Sequence, residues 1–129
     1  MDRGESVGAA HHLALRVADV ERALAFYTGV LGLTERRRFQ EPDGRLRSAW
    51  LQAGTLVLML EQRLRGTGSE TGSGHVLAFA VSDLAAWEAR LATVGVAIDD
   101  RTAQTLFVRD PDGHRVGLSA YAFEASLIP

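Results

Sequence analysis

His12 and Glu61 are the residues of this chain best suited to acid–base chemistry. A neutral histidine can accept a proton from a substrate or donate a hydrogen bond to a carbonyl oxygen, and a carboxylate can act as the opposite partner. A histidine at the start of a strand is as often structural, bonded to water or to the backbone, so both interpretations of His12 stay open. The chain has no cysteine, which excludes disulfides, thiolate metal sites and cysteine nucleophiles.

The segment that begins at His12 occurs twice. The first copy runs from His12 to Asp19 and the second from Val76 to Asp83, and each is an alternating apolar run that leads into an amphipathic helical pattern. The two Asp residues are predicted helix N-caps, because their side chains can accept hydrogen bonds from free helix amides. At the front of the repeat, a histidine in the first copy corresponds to a valine in the second.

Two modules with the order β-α-β-β-β are predicted, at residues 11–62 and 75–121. Residues 63–74 between them are rich in Gly, Ser and Thr and are predicted to be a flexible linker. A loop that cradles phosphate is the alternative, but the segment precedes a strand and no Gly-Lys-Ser/Thr follows it. Residues 1–10 and 122–129 are predicted to be tails.

Turn and stop signals bound the elements inside each module. The first helix is predicted to end at Gly32 and the second at Gly95, since glycine adopts the left-handed conformation that closes helices. The predicted strands are residues 11–17, 33–40, 45–52 and 56–62 in module one and residues 75–81, 96–101, 103–109 and 114–121 in module two. This order predicts an α+β fold in which two βαβββ modules form a curved mixed sheet around a central cleft.

Strand alternation predicts which side chains line that cleft. Leu13, Leu15 and Val17 are assigned to the helix-covered face, so their neighbours in sequence face the cleft, and the same rule applies to the other strands. The residues predicted to line the cleft are His12, Arg16, Val57, Met59, Glu61, Val76, Ala78, Arg115, Ser119 and Tyr121. A mostly apolar pocket with a few convergent polar groups is typical of a small-molecule site.

Aromatic and basic residues add further candidates for ligand binding. Trp50 and Phe39 can stack on a ligand or fill the core, and Tyr121, at a strand end, can orient a ligand or serve packing alone. At least one guanidinium of Arg36–Arg38 is expected at the mouth of the cleft, where an anionic ligand could use it. Protection of an edge strand by charge is the alternative for these arginines.

Composition limits the classes of function. The net charge of −2 gives no case for binding nucleic acid or an anionic membrane. No apolar run approaches transmembrane length, and residues 1–10 lack the apolar core of a signal peptide. A cytoplasmic location is therefore predicted.

Two segments, Phe26–Leu33 (FYTGVLGL) and Asp110–Leu118 (DPDGHRVGL), together with the repeat, resemble the vicinal oxygen chelate superfamily. This superfamily includes glyoxalase I, extradiol dioxygenases, fosfomycin-resistance enzymes and bleomycin-binding proteins. The resemblance spans about residues 11–121 and implies a glyoxalase-like fold, a small-molecule ligand and a homodimer. It also implies a metal site with one cleft-facing ligand from the first and fourth strands of each module, typically His, Glu or Gln, His and Glu.

Carried over position by position, the metal site of the superfamily falls on His12, Met59, Val76 and Gly117. Only the first of these is a usable ligand. The resemblance therefore implies a protein that binds a small organic molecule without the usual metal, as the bleomycin-binding members do. Those members favour cationic drugs with an acidic groove, whereas the near-neutral charge and the arginines here favour a neutral or anionic aromatic metabolite.

The alternative is a metal-dependent glyoxalase-type lyase or extradiol-type dioxygenase, with iron, manganese, nickel or zinc held by His12, Glu61 and His75. Two histidines and one carboxylate suit ferrous iron. Glu61 shares the parity of Met59 but lies two residues further along the strand, and His75 would need a β-bulge to face the cleft. A further variant is a cofactor-free lyase or isomerase that uses His12 and Glu61 as acid and base.

Overall fold

The computed structural model of this protein describes residue 6 and residues 8–64 and 75–123. Two compact units make up the chain, one within Met1–Gly66 and one within Thr67–Pro129. Each unit contains a four-stranded mixed sheet and little helix, which confirms the predicted α+β class. The predicted tails and linker fall wholly or partly outside the described residues and stay predictions.

Module one has a strand, a helix and three further strands, in the predicted order. Its elements are β1 (His12–Arg16), α1 (Val20–Ala25), a π-helical turn (Phe26–Val30), β2 (Thr34–Gln40), β3 (Leu46–Ala53) and β4 (Leu56–Glu61). The sheet order is β1-β4-β3-β2, with β1 parallel to β4 and the other neighbours antiparallel. Because β1 and β4 are parallel, their first residues lie at the same end of the sheet.

Helix α1 begins where the sequence predicts, because the Asp19 carboxylate accepts a hydrogen bond from the backbone N–H of Arg22 (3.2 Å). Its apolar residues Val20, Ala23 and Leu24 are buried, and the helix packs against β3 and β4. The buried residues on the helix-covered face of the sheet are Leu15, Ala49, Leu51, Leu58 and Leu60. The predicted alternation of β1 is thereby confirmed.

The first helix widens at its C-terminal end into one π-helical turn, which the sequence does not predict. Leu31 donates its backbone N–H to the Phe26 carbonyl five residues back (3.2 Å). The Thr28 hydroxyl donates a hydrogen bond to the Leu24 carbonyl (2.7 Å). Gly32 then ends the helix at φ 79°, at the predicted position. Periodicity locates a helix but does not reveal one extra residue within a turn.

Module two repeats this order. Its elements are β5 (Leu77–Ala80), α2 (Leu84–Thr93), β6 (Asp100–Arg101), β7 (Thr105–Arg109) and β8 (Arg115–Ser119). The sheet order is β5-β8-β7-β6, and β5 is parallel to β8 as β1 is to β4. As predicted, Asp83 caps α2 by accepting a hydrogen bond from the Ala86 N–H (3.0 Å), and Gly95 closes it at φ 75°. Helix α2 packs against β7.

The strand predicted at residues 96–101 is wrong in extent, since only Asp100–Arg101 forms β6. Val96 instead donates its backbone N–H to the Leu91 carbonyl (2.9 Å) and completes the end of α2. A very short edge strand limits unwanted pairing with other chains, and the adjacent Asp99 adds charge to that edge. The last two strands are also shorter than predicted at their ends.

The core of each module lies between its helix and one face of its sheet. In module two the buried strand residues are Leu106, Val108, Val116 and Leu118. They alternate with residues of the opposite face, as the pleat of a strand requires. No helix in the described part of the chain combines the length and the apolar character needed to cross a bilayer.

Candidate functional site

The open face of the module-one sheet, on the side away from α1, carries the predicted site residues of that module. Strand pairing sets three rows across β1, β4 and β3: His12, Val57 and Gln52; Ala14, Met59 and Trp50; Arg16, Glu61 and Ser48. The rows continue onto β2 with Arg37 beside Trp50 and Phe39 beside Ser48. The pairing therefore places five module-one candidates on one surface, distributed over three rows: His12, Arg16, Trp50, Met59 and Glu61.

His12 is exposed at the start of β1 and contacts the neighbouring His11. The two Nδ1 atoms lie 2.9 Å apart, and the rings meet edge to face with centroids separated by 5.2 Å. A hydrogen bond at this distance needs one protonated and one unprotonated Nδ1. The Nε2 atom of His12 has no hydrogen-bond partner among the residues described, so it is available to a ligand.

Glu61 is half-buried at the end of β4. Its Oε1 accepts a hydrogen bond from Trp50 Nε1 (3.4 Å), so the indole fixes one oxygen of the carboxylate. Arg16 lies opposite Glu61 in the pairing of β1 with β4. Its guanidinium donates to the Leu64 carbonyl from Nη2 (2.6 Å) and from Nε (3.1 Å). Arg16 is therefore held toward the end of the module by a backbone carbonyl.

His12 and Glu61 lie at opposite ends of the β1–β4 pair. His12 is paired with Val57, four residues before Glu61, and four residues span roughly 13 Å of strand. Acid–base cooperation between the two side chains, or a metal ion shared by them, would require both to lean far along the strands. His12 and Glu61 therefore share a face, as alternation predicts, but the strand register places them far apart along it.

The open face of the module-two sheet is lined mainly by small side chains. Strand pairing sets two rows across β5, β8 and β7: Ala78, Gly117 and Phe107; Ala80, Ser119 and Thr105. The hydroxyls of Thr105 and Ser119 form a hydrogen bond with each other (2.8 Å). This face therefore offers space and little charge at its centre.

A shallow pocket opens on the module-two face. Its lining residues are Ala78, Thr102, Ala103, Gln104, Thr105, Ser119, Tyr121 and Phe123. The rings of Tyr121 and Phe123 meet edge to face with centroids 5.0 Å apart, and the two residues are 56% and 67% exposed. Aromatic side chains exposed to this extent at a pocket rim can cover apolar surface of a ligand.

Arg115 is held against the module-two face by two contacts. Its guanidinium carbon lies 4.2 Å from the centroid of the Phe107 ring, and its Nη2 lies 2.9 Å from Asp100 Oδ2. Stacking and ion pairing together fix the plane of a guanidinium. Its Nε is buried without a hydrogen-bond partner among the described residues. The Arg115 side chain is therefore held in one position against this face.

In module two, the positions to which the resemblance carries the metal ligands, Val76 and Gly117, do not fit a metal ion. A Cβ added at Gly117 would lie 3.3 Å from Ala78 Cβ, 3.4 Å from Val76 Cγ1 and 3.5 Å from Phe107 Cε1. A carboxylate-bearing side chain at position 117 would meet apolar atoms on three sides. Neither Val76 nor Gly117 supplies a donor atom for a metal.

The alternative ligand set does not come together either. In the part of the chain that the structure describes, no three His, Asp or Glu side chains are grouped as metal ligands. His75 is exposed and precedes β5, whereas the side chain of Val76 lies against Gly117 on the open face. In module one the second position is Met59, whose thioether is a soft ligand and not a substitute for a carboxylate.

Sequence reasoning missed Phe107 and Thr105 on the module-two face. The run Leu106, Phe107, Val108 is apolar throughout, so the alternation that separates the two faces is hidden there. The stacking of Arg37 on Phe39, with the guanidinium carbon 4.9 Å from the ring centroid, was also not predicted. The sequence signal for that contact was that Arg37 and Phe39 are two positions apart on one strand, so their side chains lie on the same face.

Comparison with known proteins gives a consistent result over most of the chain. Residues 9–118 match the model of the Glyoxalase/Bleomycin resistance protein/Dioxygenase superfamily. A lactoylglutathione lyase from Pseudomonas aeruginosa is 30% identical over an alignment that covers 82% of this chain and 78% of that protein. The matched range runs from before β1 of module one to Leu118 in β8 of module two.

Solved structures share the fold. TnmS3, an antibiotic binding protein from a Streptomyces species, superposes with a TM-score of 0.70 at 25% identity, covering 90% of this chain and 98% of that chain. FosX, a fosfomycin resistance protein from Listeria monocytogenes complexed with Mn(II) and 1S,2S-dihydroxypropylphosphonic acid, gives a TM-score of 0.75 at 17% identity, covering 95% and 99%. The second likeness concerns the fold alone.

Proposed function

The chain belongs to the glyoxalase/bleomycin resistance protein/dioxygenase superfamily, and we propose that it holds a small organic molecule on the open face of a sheet without the superfamily's usual metal ion. The superfamily includes metal-dependent members, and the FosX structure contains Mn(II). Fold membership does not assign that chemistry to this chain, because the side chains at the site decide it.

The observation that carries the proposal is the apolar packing around Gly117. Val76, Ala78 and Phe107 surround the position where the superfamily has its fourth metal ligand. Val76 itself stands at the third position. A metal ion needs several donor atoms with good geometry, and these side chains offer none. The same apolar surface suits the body of an organic ligand.

Aromatic side chains on both open faces support an aromatic ligand. Trp50 and Phe39 lie 5.1 Å apart between ring centroids in module one, and Tyr121 lines the pocket of module two with Ser119. The role proposed for His12 is a hydrogen bond from its exposed ring to a polar atom of the ligand. The remaining ligand-binding candidates are Arg16, Met59, Val76 and Arg115. TnmS3 is an antibiotic binding protein, which favours a binding role here.

A metal-dependent lyase is the second candidate, and the 30% identity to a lactoylglutathione lyase favours it. In this case His12, Glu61 and His75 would hold iron, manganese, nickel or zinc. When bound, such an ion supplies Lewis-acid stabilisation of developing negative charge. The four-residue offset between His12 and Glu61 in the β1–β4 pair weighs against this candidate.

Metal analysis and thermal unfolding of the purified protein separate the two candidates. We expect less than stoichiometric iron, manganese, nickel and zinc, and no rise in melting temperature when these cations are added. Small aromatic compounds should raise the melting temperature, because a ligand that binds only the folded state stabilises it. At 100 times its Kd the gain is about 2.7 kcal/mol, which corresponds to several degrees for a protein of this size.

His12→Ala and His75→Ala form the matched pair for this test, since both histidines are exposed and only His12 has a proposed contact with the organic ligand. Ligand-induced stabilisation that is reduced only in His12→Ala supports the proposed contact. Stoichiometric metal in the unmodified protein that disappears in His12→Ala would overturn the metal-independent proposal and favour the lyase.

Two further parts of the proposal concern assembly and location. The proposed assembly is a homodimer, on the basis of the sequence's resemblance to two-module members that pair. The proposed compartment is the cytoplasm, with which a cysteine-free chain is compatible. Cell fractionation followed by immunodetection tests the compartment, and the mass in solution tests the assembly.

A further inference from the structure

The three consecutive arginines of β2 differ in their partners. Arg38 donates two hydrogen bonds to the Glu35 carboxylate (2.6 and 2.7 Å), and this bond lowers the pKa of Glu35 below its ordinary value. Arg36 donates to the neutral side chain of Gln52 (2.6 Å). Arg37 has no ion pair with any residue that the structure describes. Two of the three guanidiniums therefore keep an uncompensated positive charge.

The two uncompensated arginines lie on the open face. Arg37 is paired with Trp50 across β2 and β3, and the Gln52 that binds Arg36 belongs to the same side of β3 as Trp50. Arg38 is paired with Ala49, on the helix-covered side. A β-bulge at Arg36 produces this arrangement, because the register shifts between Glu35 and Arg37.

Arg37, Phe39 and Trp50 form what we call the arginine–aromatic cluster. The Arg37 guanidinium carbon lies 4.9 Å from the centroid of the Phe39 ring, and that ring lies 5.1 Å from the Trp50 ring. Stacking of a guanidinium on an aromatic ring holds its plane and leaves its N–H edge free to bind a planar anion. The cluster thus combines a ring surface with an oriented donor.

The Glu61 carboxylate on this face does not neutralise the Arg37 guanidinium. Glu61 lies on β4, two strands away from β2 in the sheet order β1-β4-β3-β2, which is roughly 10 Å by the usual spacing between strands. One of its oxygens is taken up by the Trp50 indole N–H (3.4 Å). The face is therefore positive beside the Phe39 ring and negative at the far side of Trp50.

We propose that the arginine–aromatic cluster selects planar aromatic carboxylates, with the ring against Trp50 and Phe39 and the carboxylate on the N–H edge of Arg37. This inference rests on the proposed small-molecule-binding function and adds the chemical class of the ligand. Bidentate binding of a carboxylate by arginine is strong and geometrically specific. Protection of an edge strand needs charge but no docked guanidinium, and a neutral ring surface alone would show no preference for charge.

Three compounds that share one ring system test the preference: 2-naphthoate, 2-naphthamide and 2-naphthylmethylammonium. Isothermal titration calorimetry at low salt should give a dissociation constant about tenfold lower for 2-naphthoate than for 2-naphthamide, since a charge-assisted hydrogen bond typically contributes this much. The ammonium compound should bind most weakly. Added salt should reduce the preference for the carboxylate.

Arg37→Gln and Arg47→Gln are the matched variants. Both remove one positive charge, but Arg47 is exposed and is not part of the arginine–aromatic cluster. Arg37→Gln should lose the tenfold preference and still bind 2-naphthamide, and Arg47→Gln should behave as the unmodified protein. Arg37→Lys keeps the charge but not the planar guanidinium that binds a carboxylate through two N–H groups, so it should keep a smaller preference. This variant replaces Arg37→Gln in the test if the glutamine variant does not fold.

The outcomes distinguish this inference from the function on which it rests. Equal binding of 2-naphthoate and 2-naphthamide would overturn the inference and leave the binding function standing. Tighter binding of the ammonium compound, or an equal loss of both other ligands in Arg37→Gln, would also overturn it. If none of the three compounds binds, the inference is wrong, and the proposed function is decided separately by the metal analysis and the broader aromatic panel.

Discussion

At the scale of single residues, the two modules differ at the positions to which the sequence resemblance carries the superfamily's metal ligands. Module one begins its repeat with His12, whereas module two begins it with Val76. Gly117 is packed by the side chains of Val76 and Phe107 rather than left as an open position. The chemistry of the site therefore follows from a few side chains, while the fold is kept.

Gly117→Ala is expected to lower the free energy of unfolding by about 1–2 kcal/mol, the usual cost of overpacking. The new Cβ would lie 3.3 Å from Ala78 Cβ and 3.4 Å from Val76 Cγ1, which forces these neighbours to shift. Val76→Ala in the same chain should recover part of the loss by removing one of the two contacts. Urea unfolding of the single and double variants gives the coupling energy.

Gly29→Ala is the control for this cycle. A Cβ added at Gly29 would meet nothing within 4 Å, and its φ is not positive. The stability of this variant should be unchanged or slightly higher, since alanine restricts the unfolded chain more than glycine. A Gly117→Ala variant as stable as the unmodified protein would contradict the close packing on which the metal-independent proposal depends.

At the scale of elements, each of the two helices begins at an aspartate N-cap, Asp19 in α1 and Asp83 in α2. Asp19→Ala and Asp83→Ala should each cost about 1 kcal/mol of stability, because each removes a side-chain acceptor from a helix N–H, that of Arg22 or Ala86. Denaturant unfolding measures both losses. Asp19→Asn and Asp83→Asn keep the acceptor and should lose only a few tenths of this amount. If the Asn variants are as unstable as the Ala variants, charge rather than the cap bond is responsible.

Most elements were predictable because their signals are local. Alternation placed Leu15 under α1, and the pairs Asp19 with Gly32 and Asp83 with Gly95 bounded both helices as predicted. The π-helical turn, the β-bulge at Arg36 and the two-residue β6 were not predicted. The turn and the bulge each insert one residue, and residues 96–99 lie outside β6. Tertiary packing rather than periodicity decides such details.

For the candidate site, the sequence predicted which side chains share a face of the sheet, but not how far apart they lie. Parity put His12 and Glu61 on the same side of the sheet, but the register that separates them by four residues joins strands distant in sequence. No local pattern specifies that register. The same limit applies to Arg115, whose stacking on Phe107 joins two strands. Sequence therefore named the residues of the faces and not the distances between them.

At the scale of the whole molecule, local charge matters more than the total. The net charge of −2 predicts no strong attraction to any charged partner. Arg36 and Arg37 nevertheless leave positive charge beside the Phe39 and Trp50 rings on one face. Ligand selection by this protein should therefore depend on ionic strength, even though its overall charge is close to neutral.

The proposed oligomeric state, a homodimer, is a prediction about the whole molecule. Tyr121 and Phe123 are exposed on module two with their ring centroids 5.0 Å apart, and adjoining exposed apolar side chains are typical of a surface that a partner covers. Size-exclusion chromatography with light scattering at micromolar concentration should give twice the chain mass of 14.0 kDa. Dilution should shift the mass toward that of one chain, because association depends on concentration. A mass of 14.0 kDa throughout the dilution series would contradict the homodimer and leave the exposed aromatic residues to the ligand alone.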